Sequence, residues 1–259
     1  MRPPPEARSA SVVTLITCPL SHFCEKARWA LDHAGVSYRE RGYPPAIHKL
    51  AVHARGASTV PLLLGDTMLR ESTDIVRFAD RACVEGRRLY PAAEDARREA
   101  DALVARLDAG FGPETRRWFY AWALTEPRRL RAWGSAGLPR RQRVVMGALA
   151  SPIASIVAGR LDIDERTGAQ ARDRIDEELD AVSATLSDGR GYLAGDRFGA
   201  ADLTFAALAG PALLPSGYGG GRFVAPPMPA QLEAQIRTWR ATPAGQHALR
   251  MYRDHRALT

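Results

Sequence analysis

The hydrophobic pattern of this 259-residue chain changes once, near residue 90, and this change constrains the fold more than any other feature. Before it, short β-rich runs such as residues 11–17 (SVVTLIT) alternate with helix-like runs such as residues 24–35 (CEKARWALDHAG), in the order β-α-β-α-β-β-α. After it, the segments are long, strand-poor and amphipathic, with apolar residues three and four apart in residues 171–186. The pattern therefore predicts an α/β domain followed by an all-helical domain.

The order of elements in the first domain is that of a thioredoxin-like layout. Its first two strands are expected to be parallel, because a helix that Gly35 can cap at its C-terminus crosses over between them. A hairpin is predicted around Gly65 and Asp66, and an irregular excursion at residues 215–229. The predicted divisions are a flexible N-terminus at 1–10, the thioredoxin-like domain at 11–83, a linker at 84–91 and the all-helical domain at 92–259.

The formal net charge of +7 raises the question of a nucleic-acid partner. Nearly all the positive charge is arginine, and many of the arginines are interleaved with Asp and Glu, which is typical of solvated helix surface. The strongest basic cluster lies at residues 127–143. Contact with RNA, DNA or an acidic partner is one interpretation of it, and an exposed connection is the interpretation we favour, because no nucleic-acid module accompanies it. We therefore expect no nucleic-acid partner.

The cysteine count and the apolar runs indicate the compartment. Three cysteines, Cys18, Cys24 and Cys83, are an odd number and argue against a secreted disulfide framework. We find no run of about 20 apolar residues, as a membrane span needs, and no apolar signal-peptide core at the start. The histidines show no ligand spacing relative to the cysteines. The sequence thus predicts a cytoplasmic protein with no membrane partner and no metal.

Four features of the chain resemble the glutathione S-transferase superfamily. They are the segment SHFCEKARWALDHAGV at residues 21–36, the pair Val60-Pro61, the pair Glu71-Ser72, and YLAGDRFGAADLTFAAL at residues 192–208. The resemblance implies that fold, an α/β thioredoxin-like N-terminal domain plus an all-α C-terminal domain. It also implies glutathione as co-substrate and a homodimer.

The resemblance places Ser21 at the position of the catalytic Ser or Cys of the family. A hydroxyl at a helix N-terminus can donate to a thiolate where free N–H groups and the helix dipole favour an anion. A serine hydroxyl without a base is too weak an acid to attack, so the attacking atom would be the sulfur of glutathione. The alternative is that Ser21 is only an N-cap, which has the same geometry.

The resemblance also implies how glutathione is held. The Val60-Pro61 peptide bond would be cis, which would expose the N–H and C=O of Val60 to an extended peptide. Thr59 would also face the ligand, but the family often has a longer polar side chain at its position, so Thr59 reaches less far. Glu71 and Ser72 would hold the γ-glutamyl end, with the carboxylate on its amino group and the hydroxyl and helix-start N–H on its carboxylate. The alternatives are a structural Val-Pro turn and an ordinary capped helix.

Residues beside Ser21 bear on the reaction type. Because serine cannot form a mixed disulfide, disulfide reduction at this position is disfavoured. Cys24 is expected to be buried and inert, and Cys18 is expected to be a plain loop cysteine, with a site-facing thiol as the alternative. For His22 we weigh solvent exposure against a modest electrostatic contribution to the thiolate.

The electrophile pocket is expected between the domains, lined by Arg117, Trp118 and Tyr120 from residues 114–124. The alternative is that this aromatic stripe belongs to the core. In residues 192–208, Asp202 is expected to accept from the N–H of Gly199; the family usually has Ser or Thr at that position, so the helix start should be weaker by some tenths of a kcal/mol.

The function predicted is conjugation of glutathione thiolate to a small hydrophobic electrophile, as in detoxification. Two alternatives remain open. One is a non-catalytic relative that uses the fold for binding or scaffolding, and the other is a glutathione-dependent isomerase, dehalogenase or peroxidase on the same fold.

Overall fold

A computed structural model describes residues 13–135, 138–223 and 227–256. The predicted flexible N-terminus at 1–10 lies outside these residues. The first domain contains a four-stranded sheet in the order β2-β1-β3-β4, with β1 and β2 parallel and the other pairs antiparallel. Its elements are β1 (Val13–Thr17), α1 (His22–His33), β2 (Tyr38–Gly42), α2 (His48–His53), β3 (Leu62–Leu64), β4 (Met68–Leu69) and α3 (Ser72–Ala82). The predicted order β-α-β-α-β-β-α is confirmed.

Alternation along β1 buries both faces of the sheet. Leu15 packs in the main core with Trp29 of α1 and Ile75 of α3, while Ile16 on the opposite face packs with Val52 of α2. All five side chains are almost completely buried. Successive strand residues point to opposite faces, so one strand can contribute to two apolar layers.

Past α3 the described chain contains helices joined by irregular stretches. A 3-10 turn at Glu85–Arg87 leads into these helices, and a π-helical turn at Leu107–Phe111 joins α4 to α5. The helices are α4 (Glu94–Arg106), α5 (Gly112–Ala123), α6 (Pro127–Gly134), α7 (Arg140–Leu161), α8 (Glu165–Thr185), α9 (Ala200–Leu208), α10 (Gly210–Leu213), α11 (Ala230–Ala241) and α12 (Pro243–His255). One irregular stretch lies between α10 and α11, where the excursion at 215–229 was predicted. Gly112 is the point of closest approach of α5 to α1, because a Cβ there would lie 2.7 Å from Phe23.

Buried ion pairs connect α1 to the helical domain. The ammonium of Lys26 donates to Asp108 in the π-helical turn at 2.7 Å and to Thr73 of α3 at 2.7 Å. The guanidinium of Arg256, just after α12, donates to Glu25 at 2.7 Å and to Asp32 at 2.8 Å. Because these groups are bonded on both sides of the domain boundary, they fix the orientation of the helix that carries Ser21 at its start.

The start of α9 forms the half of the cap that the sequence predicts, and the hydroxyl half is absent. Asp202 accepts from the N–H of Gly199 at 3.1 Å, as predicted. A Cβ at Gly199 would lie 2.8 Å from the carbonyl oxygen of Leu89, which also accepts from Ala200 N–H at 2.7 Å. The chain passes too close to Leu89 for a Ser or Thr side chain at position 199, and the Leu89 carbonyl pairs with the first helical N–H, that of Ala200.

Helix α7 departs from the expectation that no run is long and apolar enough to cross a membrane. In the part of the chain that the structure describes, this helix meets that test by length and composition, with a mean hydropathy of 1.7 over its most apolar window. Only 28% of that window is buried in the protein. The sequence criterion of about 20 apolar residues did not identify this helix, because the uncharged run, residues 144–159, is bounded by Arg143 and Arg160.

Candidate functional site

A cleft with a volume of about 270 Å³ lies where the two domains meet. Six segments form it: the start of α1, the region around α2, the turn before β3, the start of α3, and the helices α5 and α7. Its lining includes all six residues predicted for catalysis and glutathione binding, namely Ser21, Thr59, Val60, Pro61, Glu71 and Ser72. The structure therefore brings together residues that are spread over about 50 positions of the sequence.

Ser21 is the N-cap of α1. Its hydroxyl oxygen accepts from the N–H of Cys24 at 3.4 Å, and its own N–H donates to the carbonyl of Cys18 at 2.9 Å. The first bond uses a lone pair of the oxygen and leaves the hydroxyl proton available to the cleft. Capping and donation to a thiolate, which the sequence leaves as alternatives, are thus compatible at this one side chain.

The turn before β3 presents an open backbone donor. The Val60-Pro61 peptide bond is cis. The Thr59 hydroxyl donates to the Val60 carbonyl at 3.4 Å, whereas no hydrogen-bond partner for the Val60 N–H is found within the described residues. An extended peptide lying along this turn can accept from that N–H.

The start of α3 forms the other end of the cleft. Glu71 is extended, with φ −112° and ψ 143°, is exposed, and makes no side-chain cap of the helix. Ser72 is buried at the first helical position. A free carboxylate therefore stands beside a hydroxyl and a helix N-terminus, which suits a ligand that carries both an ammonium and a carboxylate.

His22 is buried, which contradicts the expectation of solvent exposure. Its Nε2 pairs with the carbonyl of Gly112 at 2.8 Å. Burial, with the nearby charge of Arg116 as a smaller cause, lowers the pKa of His22 to about 3. The imidazole is therefore neutral at pH 7 and gives no positive charge to a thiolate, and its structural role is to bind α1 to α5.

The cysteines near Ser21 are both buried. Burial raises the pKa of the Cys24 thiol to about 11 and that of the Cys18 thiol still further. Cys24 is inert, as expected. Cys18 contributes to the cleft lining, but its thiol remains protonated at neutral pH, and a thiol is a poor nucleophile compared with a thiolate.

Of the residues predicted to line the electrophile pocket, Tyr120 lies in the cleft wall. Arg117 instead pairs with Glu114 at 2.6 Å, and Trp118 packs edge-on against Trp239 of α11; neither belongs to the lining of this cleft. A larger cleft of about 650 Å³, which Trp118 and Tyr120 both line, opens between α5, α8 and α11 and does not include Ser21.

Arg116 is one of the cleft residues that the sequence prediction missed. It lies four positions before Tyr120, on the same face of α5, and this spacing is the signal that could have found it. No hydrogen bond or ion pair of its guanidinium is found among the described residues. Burial lowers the pKa of Arg116, but a guanidinium stays charged at neutral pH, so the cleft contains an unpaired positive charge.

The balance of charge in the cleft favours an anion. Lys49 and Arg160 line it together with Arg116, against the single carboxylate of Glu71. Burial lowers the pKa of His48 to about 4, so this residue is neutral at pH 7. No group of His, Cys, Asp and Glu suited to a metal ion is found in the described ranges.

A prediction about acid stability follows from His22. Its pKa is lowered on folding, so below about 6.5 the unfolded chain binds a proton that the folded chain does not, and stability is lost as the pH falls. Between pH 7 and pH 5 this loss is about 2 kcal/mol. The amide of His22→Gln can still donate to the Gly112 carbonyl but does not titrate. Urea unfolding at both pH values should show that this variant loses about 2 kcal/mol less unfolding free energy than the unsubstituted protein. Equal losses in the two proteins would contradict the assignment.

The first domain has a thioredoxin-like mixed sheet with helices, and the second domain is helical. The cleft where they meet is lined by the hydroxyl of Ser21, the backbone of Val60 and the carboxylate of Glu71. The family comparison is more specific. Residues 15–85 match the N-terminal domain of glutathione S-transferase and residues 160–243 match its C-terminal domain, together more than half of the chain. The chain belongs to the glutathione S-transferase superfamily.

Similar solved structures support the fold. The theta class enzyme of Xanthomonas axonopodis pv. citri with glutathione bound is 22% identical, with 96% of this chain and 99% of that chain covered and a TM-score of 0.55. A glutathione S-transferase from Sinorhizobium meliloti 1021 is 18% identical (96% and 96%, TM-score 0.58), and poplar glutathione transferase F1 is 18% identical (95% and 100%, TM-score 0.56). No curated protein matches the chain.

Proposed function

We propose that this protein is a glutathione transferase that conjugates the thiolate of glutathione to a small hydrophobic electrophile. The observation that carries the proposal is the hydroxyl of Ser21, which caps α1, faces the cleft and keeps its proton for a ligand. The open Val60 N–H and the Glu71-Ser72 pair support it, because they offer the contacts that a γ-glutamyl tripeptide can use.

In the proposed mechanism, the glutathione backbone pairs with Val60 and its γ-glutamyl end binds at Glu71 and Ser72. This places the sulfur at the start of α1, where Ser21 donates a hydrogen bond to it. The chemical requirement is to lower a thiol pKa of about 8.5 toward neutrality, at about 1.4 kcal/mol per unit. One hydrogen bond and the positive end of the helix supply about one to two units.

The remaining step is nucleophilic substitution. The thiolate attacks the electrophilic carbon, a carbon–sulfur bond forms, and the leaving group departs with the bonding electron pair. Burial raises the pKa of Tyr120 above its usual range, so its phenol stays protonated and can donate to the leaving group or substrate but cannot act as a base. Arg116 supports the anionic sulfur by its charge.

Arg116 gives a prediction with a matched control on the same helix. Arg116→Met should raise the pKa of the bound thiol by about one unit and lower kcat/KM at neutral pH about tenfold, because an unpaired charge is lost from the cleft. Arg117→Met removes a guanidinium that Glu114 already neutralises outside the cleft lining, and it should leave the thiol pKa unchanged. The pH dependence of thiolate absorbance measures both. A thiol pKa that moves equally in the two variants would contradict the role of Arg116.

Two alternatives are kept. A non-catalytic relative would bind glutathione or serve as a scaffold, and a glutathione-dependent isomerase, dehalogenase or peroxidase would use the same residues on another substrate. Disulfide reduction is disfavoured, since the two cysteines near Ser21 are buried and protonated.

The organisation that accompanies this proposal is a glutathione-binding domain at residues 11–83, a linker at 84–91, a helical domain at 92–259, a homodimer and a cytoplasmic location. Gel filtration with light scattering tests the dimer.

Glutathione binding tests the proposal directly. Thermal unfolding should shift upward with glutathione, because a ligand at 100 times its Kd stabilises the folded state by about 2.7 kcal/mol. An aryl halide then tests conjugation. Absence of a shift at millimolar glutathione would contradict the proposal, and a shift without turnover of aryl halides, peroxides or isomerisable substrates would favour the non-catalytic alternative.

A further inference from the structure

The segment that contains α6 and α7, residues 127–161, has a charge composition unlike the rest of the chain. It contains seven arginines and no Asp or Glu. The remaining sequence contains 29 Lys and Arg residues and 29 Asp and Glu residues, so the formal net charge of +7 comes from these 35 residues alone. We call this part of the chain the α6–α7 segment. Its residues 127–159 lie between the two matched family regions. Only its last two residues belong to the second region.

Most of these arginines have no ion-pair partner among the residues that the structure describes. Arg128 and Arg129 pair with Glu126, just before α6. The other five are exposed, and no hydrogen bond or ion pair of theirs is found in the described part of the chain; they are Arg131, Arg140, Arg141, Arg143 and Arg160. These five guanidinium groups, with no acidic residue in the segment, give a surface that attracts anions.

The first turn of α7 is electrostatically unfavourable on its own. It contains Arg140, Arg141 and Arg143 and no acidic residue, at the end of the helix where the dipole is positive. Such an arrangement repels itself in the isolated protein and is relieved when anions bind. The pattern indicates a function other than helix stability.

The outer face of α7 is apolar. Val144, Val145, Leu149 and Ile156 are exposed by 73%, 39%, 43% and 46%, and no charged residue lies between Arg143 and Arg160. The opposite face, with Met146 and Ile153, packs on the protein. A core helix of comparable hydropathy would be mostly buried, whereas only 28% of this apolar window is.

We propose that the α6–α7 segment binds the surface of an anionic lipid bilayer, with α7 lying in the plane of the interface. Its exposed aliphatic side chains reach the boundary between headgroups and acyl chains, and the arginines at both ends contact lipid phosphates. The inner face of α7 stays packed on the protein, so no bilayer-spanning segment is implied. The proposal departs from the sequence prediction of no membrane partner.

Two other occupants fit the surface less well. In a symmetric contact between two copies of α7, the arginine-rich segments would face each other and repel. RNA or DNA contacts depend on phosphate neutralisation along a charged face, but here the centre of the face is uncharged over residues 144–159. A bilayer has an apolar layer and an anionic layer side by side, as this helix requires.

Docking through α7 would also bring the cleft to the lipid surface, a consequence that rests on the proposed function. Ile156, Val157, Arg160 and Leu161 of α7 line the cleft that contains Ser21. A protein docked through α7 would hold its cleft beside the lipid surface, where hydrophobic electrophiles partition. Bilayer binding itself needs no glutathione, so its test is independent of turnover.

Vesicle flotation of the full chain tests the proposal. We expect binding to vesicles of phosphatidylglycerol and phosphatidylcholine, weaker binding to phosphatidylcholine alone, and a decrease with salt. The triple variant Arg140→Gln, Arg141→Gln, Arg143→Gln should lose about 100-fold in partition coefficient. The control variant carries Arg166→Gln, Arg172→Gln and Arg174→Gln, which remove three charges from exposed arginines of α8. Its partition coefficient should fall far less.

A second pair of variants tests the apolar contribution. Leu149→Asp should reduce partitioning to the anionic vesicles at least as much as the arginine triple variant does, since it places a carboxylate in the interface. Leu50→Asp, at an exposed leucine of α2 outside the segment, should retain binding. Circular dichroism verifies that each variant is folded.

The proposal would be overturned by no binding to anionic vesicles or by equal losses in the α7 and α8 triple variants. Conversion of a dimer to a monomer by Leu149→Asp would also overturn it and would assign the face to a second copy. Tighter binding of RNA than of vesicles, lost in the α7 triple variant, would likewise assign the surface to nucleic acid.

Discussion

Replacement of Ser21 by alanine is expected to lower kcat/KM for glutathione conjugation to an aryl halide about 100-fold, the effect of removing one well-placed donor to a developing or bound anion. The affinity for glutathione should change little, because Val60, Glu71 and Ser72 still hold the peptide. The pKa of the bound thiol should rise by about one to two units. Steady-state kinetics across pH, with thiolate absorbance of the binary complex, measures both quantities.

Two further variants separate the donor from the cap. Ser21→Thr retains a hydroxyl and should retain much of the activity. Ser21→Asp retains an N-cap acceptor for the Cys24 N–H but places a negative charge at the thiolate, so it should be folded and less active than Ser21→Ala. Turnover unchanged in Ser21→Ala would contradict the catalytic assignment, and Tyr120 would be the next residue to test.

The largest effect on stability is expected at Asp202. This carboxylate is completely buried and accepts from Leu193 N–H at 2.9 Å, Gly199 N–H at 3.1 Å and His247 Nε2 at 2.8 Å. Asp202→Ala leaves these donors unpaired in a dry core, which should cost about 3–5 kcal/mol of unfolding free energy. Urea unfolding measures the loss.

Asp202→Asn should lose less than Asp202→Ala, because the amide oxygen still accepts one bond. Asp196→Ala removes an exposed carboxylate three residues before Gly199 and should change stability by less than about 0.5 kcal/mol. A loss in Asp202→Ala no greater than that of Asp196→Ala would show that the network does not stabilise the fold.

Local sequence patterns predicted residues that the structure brings together in one cleft. Ser21 at a helix start, the Val60-Pro61 turn and Glu71-Ser72 at a second helix start were each predicted, and the structure places all of them in one cleft. The helical wall was predicted less well. Tyr120 lies in the cleft, but the arginine that lines the cleft beside it is Arg116 and not Arg117. Consecutive side chains of an α-helix point about 100° apart around its axis, so neighbours in sequence face different directions.

His22 shows a second kind of limit. A polar side chain next to the N-cap is exposed in most helices, and nothing nearby in the sequence marks this one as buried. The Gly112 carbonyl that pairs with it is 90 residues away, and it comes within 2.8 Å only because a glycine lets α5 approach α1. The pKa of His22 is lowered because this close packing of α5 on α1 buries the imidazole.

The sequence by itself determined the order of strands and helices, the change from an α/β domain to helices, the family resemblance and the arginine-rich composition of residues 127–161, because these depend on periodicity and residue type over short distances. Only the tertiary structure decided which arginine enters the cleft, that His22 is neutral, why position 199 is glycine, and that α7 has an exposed apolar face. Each of these depends on contacts between residues far apart in the chain, and burial and distance across such contacts set charge, packing and exposure.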